Sequence, residues 1–478
     1  MINTSFDSNQ GGLSCIRTSV KDQGPRALVQ VMADQINGGL DDRYDRQLMI
    51  WGHSGQDLLS QSHVCVVDDN QTLLMRECVK SLALMGIHEI TVVFGSSNGS
   101  DFVNKSNSDI LGFDALESMN PDVTFHIWNE NAVPIDSQHK LWNSFSIVIC
   151  LCTAGPLLQR VMKLSAVPLI MASTNDNLGF VRLIGSEPHC VIDSHGHFTF
   201  DLRLNRMWPE LAEYHESFDV KNMSQEEVSS LPYSVLLYNV GKSLKSKNIP
   251  INRKSVRAEF IELHDSILSG PLTNDLNFVE AERSSFLLYD QSGPFPHNLT
   301  NILNSFHAEP NSTINRWVYQ FVRCIRIFYD LRGDLPVSAF IPDMESSTKL
   351  FNAQKAVYQR KAAKDKSEIM RILAKENYSL IPEPLIDKML ENLKHLDAIK
   401  MGSLSSATRT ISEKPKFNKL LSLQNDRHDT TFVSPAMASI LGAMVSQECV
   451  KLLTHQYVPV ENTLLYDGDS NETSTFIL

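Results

Sequence analysis

The 478-residue sequence is short of several things, and each shortage removes a class of protein. Basic residues are outnumbered: 43 Lys and Arg against 55 Asp and Glu give a formal charge of −12, which argues against a coat for nucleic acid or a membrane surface. Cysteine is scarce. The eight present (Cys15, Cys65, Cys78, Cys150, Cys152, Cys190, Cys324 and Cys449) are too irregular for a disulfide framework and contain no Cys-x-x-Cys pair for zinc. Long apolar runs are missing too, since the longest, around Ile147 to Cys152, falls far short of the ~20 residues that span a bilayer. The opening residues lack the charged start and apolar core of a signal peptide, so a reducing compartment is expected and sequons such as Asn298 to Thr300 are read as chance.

One local absence matters more. The stretch CVVDDNQTLLMREC, Cys65 to Cys78, reads as a buried strand entering a helix, and it contains no glycine. In nucleotide-binding units of this shape, glycines let the backbone approach the phosphates, and the helix N–H groups hold the charge. Here the turn is Asp68-Asp69-Asn70-Gln71-Thr72-Leu73. Its side chains block the approach, and each carboxylate placed ~4 Å from a phosphate would cost ~4 kcal/mol even at an effective dielectric near 20. The second strand ends in Phe94-Gly95, where a ribose-binding acid belongs in a working site. The turn is better suited to capping an ordinary helix from Asp68, Asp69 or Asn70, with Leu74, Cys78 and Leu82 buried against a sheet.

What is present is a chain with 42% hydrophobic residues, enough for two to four domains. Residues 1–40 mix Ser, Asn, Gln and Gly with little periodicity and read as a mobile tail. Tyr44, Leu48 and Trp51 lie on one helical face, followed by a turn from Gly52 to Gly55. Strand and helix then alternate: strands at Val64 to Val67, Glu89 to Phe94, Val123 to Trp128, Ser146 to Cys152 and Pro168 to Ala172, helices at Thr72 to Met85 and Asp109 to Met119. This rhythm predicts a doubly wound α/β sheet over 41–185. Residues 186–430 are mostly helical in pattern, with a Lys-rich run, Lys355 to Lys366, read as a solvated face. Over 431–478, Ser434-Pro435 starts a helix rich in Ala, Gly and Ser, and strands near Thr463 to Tyr466 and Thr475 to Leu478 follow, so the chain is expected to return and complete its first domain.

Several phrases together carry a resemblance. Tyr44-Asp45-Arg46-Gln47-Leu48-x-x-Trp51-Gly52, then Gly55-Gln56 and the strand His63 to Val67, resemble the start of the adenylation domains of ubiquitin-like activating enzymes. Asp201 to Leu204, Trp208 to Leu211, Ile341 to Met344 and Gln447 to Leu452 resemble the regulatory subunit of the heterodimer that activates the Rub/Nedd modifier of cullins, over 41 to 478 with a shortened middle. The resemblance implies a Rossmann-like, ThiF-type adenylation fold carrying a large, mainly α-helical insertion, a remnant of the catalytic-cysteine domain. It implies a non-catalytic subunit in the cytoplasm and nucleus, obligately paired with a catalytic subunit that holds ATP and Mg, with no cofactor of its own. An obligate interface of this kind buries ~2,000–5,000 Å².

The resemblance also implies site residues. Arg46 matches an arginine that reaches across the interface to ATP on the partner, where a guanidinium stabilises charge on the leaving phosphates; the competing reading is an ion pair with Asp42 or Asp45. Tyr44, Asp45, Gln47 and Trp51 share its motif. The segment from Gly333 to Met344 matches one that contacts the catalytic subunit, which makes Pro336, Phe340, Ile341, Pro342, Asp343 and Met344 interface candidates; packing on their own domain is the alternative. No cysteine has the exposed, electropositive setting of a thioester nucleophile. His189, His195 and His197 lack the further ligands of a metal site, and Asp193 and Asp201 read as turn residues. The rival functions are the matching subunit for a SUMO-type modifier and a self-sufficient nucleotide-dependent Rossmann enzyme, which would need the missing glycines.

Overall fold

The computed structural model describes residues 42–68, 72–94, 113–129, 138–151, 158, 160–161, 163, 165–175, 177–196, 200–268, 274–289, 295–378, 380–402 and 433–477. The expected tail 1–40, the turn residues Asp69, Asn70 and Gln71, the start of the helix at Asp109, and Gly95, Cys152 and His197 lie outside them.

The chain enters through helix α1 (Asp45–Ser60) and strand β1 (His63–Asp68), then runs through α2 (Thr72–Leu84), β2 (Glu89–Phe94), α3 (Phe113–Met119), β3 (Thr124–Asn129), β4 (Ile147–Leu151), β5 (Leu169–Asn175) and β6 (Leu178–Ile184). With β9 (Thr463–Asp467) and β10 (Glu472–Phe476) from the end of the chain, these strands form an eight-stranded sheet in the order β10-β9-β6-β5-β4-β1-β2-β3. Strands β3-β2-β1-β4-β5 are parallel, and β6, β9 and β10 extend the sheet antiparallel. Val64, Cys65, Val66 and Val67 are all inaccessible. That is why β1 reads as an unbroken apolar run: central parallel strands are covered on both faces. Chain order reverses between β1 and β4, where Asp68 pairs with Leu151, and a doubly wound sheet has its ligand crevice at the carboxyl ends there.

The expected turn from Gly52 to Gly55 is narrower than read. Only Gly52 leaves helical geometry (φ 68°, ψ 176°), a left-handed setting that glycine adopts without strain, and α1 resumes through Ser60. Leu74, Cys78 and Leu82 of α2 are fully buried as expected, in the cluster that holds Val64 and Val66 of β1, and Cys78 lies against Ser446 further along the chain.

After β7 (His189–Val191) the chain becomes helical: α4 (Tyr233–Ser246), α5 (Arg253–Ile267), α6 (Leu276–Arg283), α7 (His297–Ser305), α8 (Thr313–Arg332), α9 (Thr348–Lys375) and α10 (Glu383–Glu391). Two apolar clusters form, one around Leu236, Phe260, Phe278 and Tyr358, the other around Trp317, Phe321, Ile369 and Ile386. Helix α9 enters both, and at ~1.5 Å per residue it is long enough to bridge them. Its Lys-rich run is more than a solvated face: Lys361 pairs with buried Asp365, and Lys366 reaches Glu383 (2.7 Å) and Asp387 (2.6 Å) on α10.

Strand β8 (Asp397–Ile399) pairs with β7, so the outgoing and returning chains run side by side. Helix α11 (Pro435–Thr454) then packs on α2, capped by Ser434 Oγ accepting from the Met437 amide (3.2 Å), a cap that stabilises by ~1 kcal/mol. Strands β9 (Thr463–Asp467) and β10 (Glu472–Phe476) close the sheet against β6.

Candidate functional site

Two places can be judged: the switch point of the sheet and the surface of α1. At the switch point Asp68 ends β1, its backbone flanked by Phe94 of β2 and Leu151 of β4 and its side chain fully buried. The expected cap from Asp69 or Asn70 falls outside the described residues.

On α1 the motif residues divide between inside and outside. Tyr44 is buried, its hydroxyl donating to Asn120 Oδ1 (3.1 Å) and packing above Gly86. Burial raises the pKa of that hydroxyl, which keeps it a neutral donor. Gln47 Nε2 donates to the Leu84 carbonyl (2.9 Å), and buried Trp51 donates from Nε1 to Gln56 Oε1 (3.0 Å). Tyr44 and Gln47 tie the helix to its own domain and Trp51 is buried with its bond inside the helix, which corrects the expectation that Tyr44 and Trp51 form partner-facing surface. Asp45 and Arg46 face outward.

The two arginines of this stretch contrast. Arg43 Nη1 donates to Asn120 Oδ1 (2.7 Å) and pairs with Asp122 (3.1 Å). Arg46 is exposed, and Asp45 does not pair with it; the side chain of Asp42 is outside the described residues. Beside Arg46, at three and four residues along the helix, stand Met49, 88% exposed, and Ile50, 45% exposed. Sequence reasoning passed over both. The signal was there: Leu48-Met49-Ile50-Trp51 places four apolar residues in a row on a helix with one buried face, so some had to face out.

The segment from Gly333 to Met344 is used mainly by its own domain. Ile341 and Met344 are 8% and 6% exposed within the first helical core, and Pro336 is buried, which corrects the reading of these three as ready partner contacts. Phe340, 53% exposed, and Asp343 remain on the surface, with Pro342 half-buried. Asp201 is more than a turn residue. Arg203, nearly buried, pairs through Nε with Asp201 (2.6 Å) and through Nη1 with Asp334, and Nη2 donates to the Leu335 carbonyl (3.0 Å). Tyr358 donates to the Leu202 carbonyl (2.6 Å) and meets Trp208 edge-on at 5.2 Å. Phrases scattered through the sequence thus converge on one junction.

The described thiols are unsuited to attack. Cys65, Cys78, Cys150, Cys190, Cys324 and Cys449 are buried; desolvation pushes Cys78 and Cys324 up to about 12 and raises the other four as well. His189 stacks on His455 (centroids 4.5 Å apart) in a buried setting, and His195 bonds Gln456. Asp193 accepts from the His195 amide (2.9 Å), as a turn residue does. Among the described residues, no three His, Cys, Asp or Glu side chains gather as a metal site would require.

Fold and site together define a class: a doubly wound α/β protein with a buried aspartate at its switch point and a mainly helical insertion. No family model matches the chain. Curated proteins do. It is 28% identical to the NEDD8-activating enzyme E1 regulatory subunit of Saccharomyces cerevisiae, covering 91% of this chain and 99% of that one. It is 26% identical to the Gallus gallus protein of the same name (92% and 98% covered) and 26% identical to the Arabidopsis thaliana regulatory subunit AXR1 (89% and 94%). Over about nine-tenths of its length the chain is similar to NEDD8-activating enzyme E1 regulatory subunits.

Proposed function

We propose that this chain is the non-catalytic half of a heterodimer in which ATP and Mg are held by the catalytic subunit, and that Arg46 acts in trans on that ATP while the Rub/Nedd-type modifier is adenylated. One observation carries the reading. Of the two arginines beside Tyr44, Arg43 is held in an internal network while Arg46 stands outward on a helix pinned to its domain, flanked by exposed Met49 and Ile50. A guanidinium displayed beside an apolar patch suits an interface where the patch is covered and the charge meets an anion.

In the adenylation step the modifier's terminal carboxylate attacks the α-phosphate and pyrophosphate leaves. A cation positioned beforehand on the leaving phosphates stabilises the charge that develops there. The names of the relatives favour the Rub/Nedd modifier over a SUMO-type one. The self-sufficient enzyme is disfavoured by the glycine-free turn and the buried Asp68.

The test uses the co-expressed heterodimer. Arg46→Ala is expected to leave assembly intact and slow ATP–pyrophosphate exchange by about 10³-fold, the lower end of the range for trans arginines in phosphoryl transfer. Unchanged exchange in an intact heterodimer removes the trans role. Saturable binding of labelled ATP to this chain alone, without the partner, restores the self-sufficient enzyme.

A further inference from the structure

The first half of α1, from Asp45 to Trp51, is short, and residues far away in sequence hold both its ends. At the front, Asn120 is buried and gives one amide hydrogen to the Ala83 carbonyl (2.7 Å) while its oxygen accepts from Tyr44. Gly86 (φ 82°) makes the seat for Tyr44, since a Cβ there would lie 2.8 Å from Tyr44 Cε1. At the back, Gly52 interrupts the helix. The last carbonyls of a helical run have no N–H within the run to accept from. Here the Trp51 carbonyl accepts from Gln456 Nε2 (2.9 Å), and the Ile50 carbonyl accepts from the Tyr457 hydroxyl (3.2 Å).

Gln456 is almost completely buried, and its amide works in two directions. Its Oε1 can only accept, so His195 presents a protonated Nε2 to it at 2.8 Å. The His195 ring lies flat on Tyr457, centroids 4.1 Å apart and 11° from parallel. The Tyr457 amide donates to the Asp193 carbonyl (2.7 Å), and the Ile192 amide donates to the His455 carbonyl (2.9 Å). Residues 192–195 are where the chain leaves the sheet for the helical insertion. One buried amide therefore joins that departure point to the helix end carrying Arg46.

We infer that Gln456 is a positioning residue for Arg46, an inference that rests on the trans role proposed above. A buried amide that lost either partner would leave polar groups unmade at a cost, so the bonds fix the ring of His195 and the Trp51 carbonyl in one relative position. Arg46 lies one to one and a half helical turns from those capped carbonyls and moves with them. A displacement of ~1 Å at a group aimed at a transition state is enough to cost orders of magnitude in rate.

The experiment compares Gln456→Leu, which keeps the volume and removes both bonds, with Arg46→Ala and the double variant, all as assembled heterodimers. Assembly, kcat and the KM for ATP in pyrophosphate exchange are measured. Gln456→Leu is expected to assemble, to hold KM within about twofold and to lower kcat about tenfold; in the Arg46→Ala background it is expected to lower it no further. Full multiplication of the two losses, or no loss from Gln456→Leu, overturns the positioning role while the trans role stands. An inert Arg46→Ala defeats both. If Gln456→Leu fails to assemble, Tyr457→Phe, which keeps the ring stack and removes one bond, is put through the same cycle; a loss of about threefold that vanishes beside Arg46→Ala supports the inference, and any other result overturns it.

Discussion

Gly442 of α11 faces the backbone of Cys78 on α2 so closely that a Cβ would lie 2.9 Å from the Cys78 amide nitrogen. The approach is sealed by Ser446, whose hydroxyl lies 3.2 Å from the Cys78 carbonyl. The small-residue character of the last helix is explained by this contact, which joins the end of the chain to the first crossover. Gly442→Val is expected to destabilise by at least ~2 kcal/mol, because the obstacle is backbone and cannot rotate away. Thermal unfolding of the purified protein checks it; a melting temperature unmoved by the valine would mean the helices separate easily.

Arg46 should separate activity from stability. It makes no ion pair with Asp45, and surface charges of this kind contribute within about ±0.5 kcal/mol. Arg46→Ala is therefore expected to unfold at the same denaturant midpoint as the parent while exchange collapses. Arg43→Ala should lower the midpoint, since it removes the donor held by Asn120 and Asp122. A midpoint loss for Arg46→Ala larger than for Arg43→Ala would reverse these assignments.

The junction at Arg203 is a stability element. Its guanidinium is nearly buried and answered by Asp201, Asp334 and the Leu335 carbonyl. Arg203→Leu would leave Asp334 with the longer pair to Arg206 (3.4 Å) in place of its close guanidinium, and a loss of ~2–3 kcal/mol is expected, reduced from the fully buried case because both aspartates are partly exposed. The double variant Arg203→Leu/Asp334→Asn should recover part of that loss in urea unfolding. No recovery would show that the aspartate is not the group left stranded.

Acid should weaken the hinge beside β7. Burial lowers the pKa of His455 to about 4, partly opposed by its bond to the Cys190 carbonyl, and burial together with the stacked His455 ring lowers that of His189 well below its ordinary value. The unfolded chain takes up these protons near pH 6.5 while the folded chain resists them. Stability from the pair is therefore complete above about pH 6.5 and declines as pH falls toward 4. His455 has a left-handed backbone (φ 55°), which Asn tolerates. His455→Asn is expected to flatten the dependence of the urea midpoint between pH 6.5 and 4.5; identical slopes for parent and variant would locate the acid sensitivity elsewhere.

The parts legible in the sequence were those written in local chemistry. Strand β1 announced itself because all of Val64 to Val67 is buried, and α11 because Ser434 and Pro435 cap it. Strand β6 was not seen: Gly179 and Arg182 interrupt its apolar run, and Arg182 is nevertheless fully buried in the sheet. Arg46 could be picked out by its motif. Gln456 could not, because its partner Trp51 lies 405 residues away, and nothing near residue 456 reports that a helix end will need its amide.

The sheet closes late. Strand β6 pairs with β9, so one side of β6 stays bare during synthesis until residues 463–467 have left the ribosome, long after the rest of its sheet has emerged. A nascent chain halted within the helical insertion would expose an unpaired strand edge, a template for aggregation. Truncation just before residue 463 should therefore yield insoluble protein, even though every residue of the Arg46 motif has already been made.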